Sequence, residues 1–268
     1  MIDGGKQNLL GVLVDAVDYD AAVRKIIASS KDCRALGVTA LAVHGVMTGV
    51  GDRAHRYRLN HLELVTPDGQ PVRWGLNLLH RTGLRDRVYG PTLMLKVCEV
   101  AAQERLALYL YGSRQATLDL LVPRLRARFP GVEIAGAEPS KFRKTSTDEK
   151  SDIVERIKSS GAAMAFVGLG CPRQEVFAYE YRVALQMPVI AVGVAFDYHA
   201  GVLTEPPMFM QRWGFQWLYR LVQEPRRLWK RYLITNTSYA GLLVLQAVRF
   251  LRPDPLRAQE PRGEVLYG

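Results

Sequence analysis

The sequence predicts an α/β fold: a mostly parallel sheet with helices on both faces, followed by a basic, aromatic-rich C-terminal appendage. Three observations predict it. Up to Gly201, short apolar runs alternate with amphipathic stretches, the rhythm of βαβ units. Three of the apolar runs end in glycine-bearing loops, at Gly112, at Gly168 and Gly170, and at Gly193. Beyond Gly201 the rhythm stops, and aromatics and arginines crowd together in WGFQWLYRLVQEPRRLWKRYL.

Taken in order, residues 8–14 read as a strand and 19–30 as a helix. A strand at 38–44, closed by His44, precedes a helical stretch to Asn60. Residues 62–66 form a buried strand that stops at Pro67-Asp68-Gly69, a strong turn signal. Next come a helix at 92–104, a strand at 107–111, a helix at 113–129 and a strand at 132–135. The polar segment 139–147 is expected to be a mobile loop. A helix at 148–160, a strand at 163–167, a helix at 173–181 and a strand at 188–192 complete the core. Prolines 206, 207 and 225 punctuate the remainder of the chain, so a boundary is placed near Glu205, with domains at 1–205 and 206–268 and a frayed tail after Pro253.

A length of 268 residues suits one large α/β domain with an appendage. The net charge is +10, and its location matters. Residues 206–257 hold nine Lys and Arg against two Asp and Glu, so about +7 lies in this stretch. A local basic surface of this kind points to phosphate-bearing partners and argues against a uniformly basic nucleic-acid binder. Cys33, Cys98 and Cys171 are few, odd in number and widely spaced. That excludes a disulfide framework and CxxC zinc ligands, and buried spectator thiols in a reducing compartment are expected. The N-terminal segment is too short in apolar residues and too acidic for a signal peptide. Residues 233–248 are uncharged but interrupted by Asn236, Ser238 and Gln246, short of a membrane span.

Ligands of such sheets bind at the carboxyl ends of the strands. Glycine there allows close backbone approach, and free N–H groups at the following helix start attract phosphate. Gly112, Ser113, Gly168, Gly170 and Gly193 are therefore candidates for a nucleotide site, the alternative being packing glycines in tight turns. GxGxxG and GxxxxGK[ST] are absent, which disfavours a dehydrogenase and a P-loop ATPase. Asp68 reaches a sheet end and could serve as a general base, although Asp-Gly is also a common turn pair. His44 could contact substrate or orient that acid, or be structural. Gln174, at the entry to a helix after Pro172, could reach a ligand or cap the helix. The histidines show no metal-binding spacing.

The strings VTPDG, YGP, FVGLGCPRQE, GVAFDYHAG and MQRWGFQWLYRLVQEPRRLWKRYL occur in this order. Together they closely resemble the WecG/TagA/CpsF family of bacterial glycosyltransferases, over residues 9–233. The resemblance implies a Rossmann-like core and an appendage that meets an anionic membrane surface. It also implies inverting transfer from a UDP-sugar to an undecaprenyl-diphosphate-linked saccharide, with no metal and no cofactor. The sugar would be glucuronic acid or of N-acetylmannosamine type, since the AVHGVMTG variant is similar to the xanthan-type glucuronosyltransferase branch of exopolysaccharide assembly.

Asp68 then matches the catalytic base. Gln174, Asp197, Arg220 and Arg227 match substrate-binding positions, as does Lys230 where arginine is also used. The first two strings add Thr66, Gly69, Tyr89 and Gly90. A TxN string of many members is replaced by Ala40 and Ala42, with Thr39, His44 or Thr48 available to compensate. The helix from Pro225 is expected to carry Arg227, Lys230 and Arg231 on one stripe and Leu228, Trp229 and Tyr232 on the other. The implied location is cytoplasmic, peripheral on the inner face of the cell membrane. No nucleic-acid partner is expected, and homo-oligomerisation stays open. The alternative function is a membrane-associated nucleotide-binding scaffold without transferase activity.

Overall fold

A computed structural model describes residues 1–223 and 225–268, and for Arg227, Lys230 and Arg231 the backbone alone. The chain opens with an antiparallel hairpin of β1 (Asp3–Leu9) and β2 (Val12–Val17). Its two-residue turn, Leu10-Gly11, has φ of 58° and 87°, the left-handed pair that matches strand twist. Asn8 Oδ1 accepts the Gly11 N–H at 2.8 Å and closes the turn. The single strand expected at 8–14 is thus two strands. Leucine seldom adopts positive φ, so Leu10 carries no turn signal in the sequence.

The six remaining strands form one parallel sheet in the order β4-β3-β8-β7-β5-β6, with β3 (Leu36–Leu41), β4 (Leu64–Pro67), β5 (Leu108–Gly112), β6 (Ile134–Glu138), β7 (Met164–Gly168) and β8 (Pro188–Ala191). Alternate side chains enter opposite layers. Leu108, Leu110, Met164, Phe166 and Ile190 pack under α1 (Tyr19–Lys31) and its neighbours on one face. Tyr109, Tyr111, Ala165, Val167 and Val189 pack on the other. The second face is covered by the hairpin and by α2 (Val43–Gly51), α3 (Arg53–Asn60) and α4 (Gln70–His80). The first face is completed by α5 (Gly90–Glu104) and α6 (Gln115–Arg128). Further along the chain, α7 (Thr147–Ser159) and α8 (Arg173–Leu185) join the second face, and α9 (Ala195–His199) joins the first.

Two sequence expectations shift here. Pro67-Asp68-Gly69 leads into α4, with Gly69 as N-cap and a proline in the first turn, where its missing N–H costs nothing. His44 lies in the first turn of α2 and does not close β3. Cys33 is exposed, so the expectation of three buried thiols holds in full only for Cys98, whose thiol burial pushes up to about 12.

The appendage comprises α10 (Met208–Arg212), α11 (Gln216–Gln223) and α12 (Pro225–Ala247). On α12, Leu228 is buried, and Tyr239 is buried in the core with its Oη donating to the Pro71 carbonyl at 2.9 Å. Of the side expected to carry Leu228, Trp229 and Tyr232, Leu228 is buried, Tyr232 lines a cleft and Trp229 is exposed. No helix among the described residues is long and apolar enough to cross a membrane.

The tail after Pro253 and the loop 139–147, expected to be frayed and mobile, pin each other. Thr145 N–H donates to the Leu266 carbonyl at 2.7 Å, and Ser140 Oγ to the Gly268 carbonyl at 2.9 Å. Buried Glu180 accepts the N–H groups of Val265 and Leu266 at 2.8 and 2.9 Å and pairs with buried Arg58 at 3.5 Å. Polarity in these segments reads as loop, but Ser140, Thr145 and the main chain of residues 265–268 find partners far away in the chain. Glu180→Ala leaves the Arg58 charge buried and two main-chain donors unpaired. We expect it to lower stability by about 3 kcal/mol in urea unfolding and to expose the tail to limited proteolysis.

Candidate active site

Because every strand of the six-stranded sheet is parallel, the ends of β4, β8, β7 and β5 share one edge of that sheet. Asp68 and the three glycine loops therefore lie on the same rim. Asp68 sits just past Pro67, its N–H donating to the Leu41 carbonyl at 3.2 Å. Val88 N–H donates to the Pro67 carbonyl at 2.9 Å, which draws the segment before α5 alongside β4. Gly90 N–H then reaches Asp68 Oδ1 at 3.2 Å.

Asp68 lies in a cleft of about 460 Å³ between the sheet edge and the appendage. Ala42, His44 and Gly69 line it from the core, with Arg87 and Tyr89, while Trp217, Arg220 and Tyr232 close it from the appendage. Desolvation in this cleft pushes the Asp68 carboxyl up to about 6, opposed by the charge of Arg87, the Gly90 N–H and the charge of Arg220. Arg87 is buried, stacks its guanidinium on Tyr89 at 4.1 Å and donates to Gln211 Oε1 at 3.2 Å and to Gln216 Oε1. It thereby ties the core to α10 and α11. Trp74 packs against Gly214 and makes a second such contact.

The second cluster lies at the ends of β5, β7 and β8. Gly112 has φ of 117°, and a Cβ there would stand 2.7 Å from the Gly168 carbonyl oxygen, so only glycine fits between these strand ends. Ser113 N–H donates to that oxygen at 2.9 Å, and Ser113 Oγ donates to Asp197 Oδ1 at 3.2 Å. Gly170 is exposed at the loop tip, and Gly193 lies beside the buried amide of Gln174. Val194, next to Gly193, also lines the Asp68 cleft, so the two clusters are continuous.

The structure thus brings together His44, Asp68, Gly69, Tyr89, Gly90 and Arg220 in one group. Gly112, Ser113, Gly168, Gly170, Gln174, Gly193 and Asp197 form the other. Thr66 departs from expectation: it is fully buried, and its hydroxyl faces the Thr39 and Val88 carbonyls at 3.5 and 3.4 Å, so it braces the strand beneath Asp68 and does not line the cleft. The side chains of Arg227 and Lys230 lie outside the described residues. Of the three residues offered as substitutes for the TxN string, His44 alone lines the cleft. The Thr39 hydroxyl is held by Glu175 at 3.2 Å and the Thr48 hydroxyl by the His44 carbonyl at 2.8 Å.

Arg87 is the residue that sequence reading missed. Its only local signal is its place two residues before Tyr89. Among the described residues no group of three or more His, Cys, Asp or Glu side chains is placed to hold a metal ion.

A profile of the glycosyl transferase WecG/TagA/CpsF family matches residues 7–253. The chain belongs to this family. It is 30% identical over 176 residues to the N-acetylglucosaminyldiphosphoundecaprenol N-acetyl-beta-D-mannosaminyltransferase of Bacillus spizizenii, covering 65% of this chain and 66% of the relative. To the Bacillus subtilis protein of the same name it is 28% identical over 185 residues, covering 69% and 70%. The matched region spans about two thirds of the length of these relatives. Both relatives are named for sugar transfer to an undecaprenyl-diphosphate-linked acceptor. Ala42, expected to stand in place of a polar residue of the TxN string, lines the cleft that holds Asp68.

A carboxyl held above its ordinary value of 3.8 destabilises the fold once ionised. The penalty is absent below the ordinary value, grows as pH rises to about 6 and stays constant above it. Asp68→Asn is therefore expected to raise stability by up to about 3 kcal/mol near pH 8, with the gain fading toward pH 4, as read by thermal melts.

Proposed function

We propose that this protein is an inverting glycosyltransferase that moves a hexosyl unit, of N-acetylmannosamine or glucuronic acid type, from a UDP-sugar to an undecaprenyl-diphosphate-linked saccharide in cell-surface or exopolysaccharide synthesis. The observation that carries the reading is Asp68. It is a cleft carboxyl poised near neutrality, on the same rim as the glycine loops and flanked by Arg87 and Arg220. Family membership and the names of the two relatives support it.

In this mechanism the nucleotide lies across Gly112, Gly168, Gly170 and Gly193, where close backbone approach and main-chain donors suit a diphosphate. Asp68 takes the proton from the acceptor hydroxyl as that oxygen attacks the anomeric carbon. The bond to the UDP oxygen breaks on the opposite face, which inverts the centre. A diphosphate leaves with its negative charge and needs no proton. Arg87 and Arg220 supply positive charge where negative charge develops. They also hold the base low enough in pKa to be ionised at neutral pH.

The appendage suits an acceptor that resides in a bilayer. Phe209, Trp213, Trp229 and Leu233 are exposed beside the basic Arg226 and Arg212. Apolar side chains mixed with cations are what an anionic interface binds. We place the protein on the cytoplasmic face of the membrane, where nucleotide sugars and anionic headgroups meet.

Asp68→Asn is expected to lower turnover of UDP-sugar with lipid-linked acceptor by about 10²–10⁴-fold while leaving UDP affinity unchanged in calorimetry. The wild-type rate should fall below a pH of about 6, the value to which burial lifts this base. Near-normal turnover in the variant would remove Asp68 from the role. For the membrane reading, Phe209→Ser combined with Trp213→Ser and Leu233→Ser should weaken sedimentation with anionic liposomes by at least about tenfold. Sedimentation equal to wild type would count against it.

A further inference from the structure

Glu175 lies one residue beyond Gln174 in the first turn of α8 and is almost wholly buried beneath the carboxyl ends of the strands. Its Oε1 receives two donors from different elements: Gln174 Nε2 at 2.9 Å and the Thr39 hydroxyl of β3 at 3.2 Å. The Cys171 thiol, in the loop between β7 and α8, also lies close to this carboxyl, whose Oε2 is buried without a hydrogen-bond partner among the described residues. One buried carboxyl thus joins β3, the glycine loop and the helix that carries Gln174. A buried carboxyl in an ordinary core is costly and is replaced by apolar residues without loss. Here it has a specific geometric consequence.

A glutamine amide has one donor end and one acceptor end. The donor end of Gln174 is committed to Glu175. The Gln174 Oε1 atom is buried, has no hydrogen-bond partner among the described residues, and belongs to an amide 3.6–3.8 Å from the Cβ position of Gly193 at the β8 rim. With a flipped amide, two oxygens would face each other inside the protein, an arrangement that repels unless a proton intervenes.

We propose that Glu175 is a positioning residue that locks the Gln174 amide, so that Gln174 meets the nucleotide sugar as a hydrogen-bond acceptor for one of its hydroxyl or N–H groups. The site so defined is acceptor-only at that point, and it discriminates in favour of ligands with a donor there. The inference rests on the UDP-sugar reading above and adds the orientation of one side chain and the residue that sets it. Burial also raises the Glu175 carboxyl above its ordinary range, so a neutral amide is a tolerable substitute for it.

A double-mutant cycle on the full chain tests it, with UDP-sugar binding measured by calorimetry and folding checked by thermal melts. Gln174→Ala and Glu175→Leu are each expected to weaken binding by about tenfold, the size of one lost hydrogen bond. Because Glu175 acts through Gln174, the double variant should bind within about threefold of Gln174→Ala alone. Two donors converge on Oε1, so Glu175→Gln should place its amide oxygen there and bind within about threefold of wild type.

A double variant weakened by the product of the two single effects overturns the proposal, and so does Glu175→Leu that binds like wild type. Where Glu175→Leu does not fold, Glu175→Gln carries the test, and a loss as large as that of Gln174→Ala overturns it. A wild-type chain that binds no UDP-sugar sinks both this inference and the transferase reading. Normal wild-type binding with failure of the cycle sinks this inference alone.

Discussion

A carboxylate in a cleft needs nearby positive charge to stay ionised at neutral pH, and this constraint organises the protein around Asp68. Desolvation alone disfavours its charge, and Arg87, the Gly90 N–H and Arg220 oppose that effect. These groups come from two places remote in sequence: the segment that enters α5, and the appendage. The balance therefore exists only when the appendage is docked. The contacts of Arg87 with Gln211 and Gln216, of Trp74 with Gly214 and of Tyr239 with Pro71 dock it. Electrostatics and tertiary packing are here one problem, since the arginine that tunes the carboxyl also joins the two parts of the chain.

The rest of the rim follows the same economy of polar groups. Side-chain hydrogen bonds cross-link the ends of neighbouring strands and the helices that follow them. Thr66 braces β4 through two carbonyls, Ser113 bonds Asp197 between the ends of β5 and β8, and Glu175 gathers β3, the β7 loop and α8. Each bond restricts a loop that would otherwise move relative to its neighbours. A site assembled from the ends of several strands needs such cross-links, because each loop is attached to the sheet at one end only.

Much of this was legible from residues alone. Apolar runs and amphipathic stretches placed the strands of the main sheet to within about three residues, since burial on both faces leaves a continuous hydrophobic signature. The glycine loops at Gly112, Gly168 and Gly193 announced the rim because parallel strands put all such loops at one edge. Illegible were features whose partners lie far off in the chain or whose residues carry no local signal. The Leu10-Gly11 turn is closed by Asn8, the loop at 139–147 by the tail, and Thr66 is withdrawn from the cleft by carbonyls of β3 and of the segment before α5. Arg87 looks like one surface arginine among many until Tyr89 and the appendage surround it.

Local chemistry thus settled the strands of the main sheet and most of the helices between them, the family to which the chain belongs and the position of the acid at the end of β4. Those depend on hydrophobic period, turn residues and short motifs, which are encoded over a few neighbouring positions. Tertiary structure decided which of three substitutes for a missing polar string reaches the cleft, and answered His44. It decided that Leu228 and Tyr232 face inward, and that Arg87 and Arg220 converge on Asp68. Convergence of charges and the facing of side chains depend on distances between segments remote in sequence, and only the folded chain specifies them.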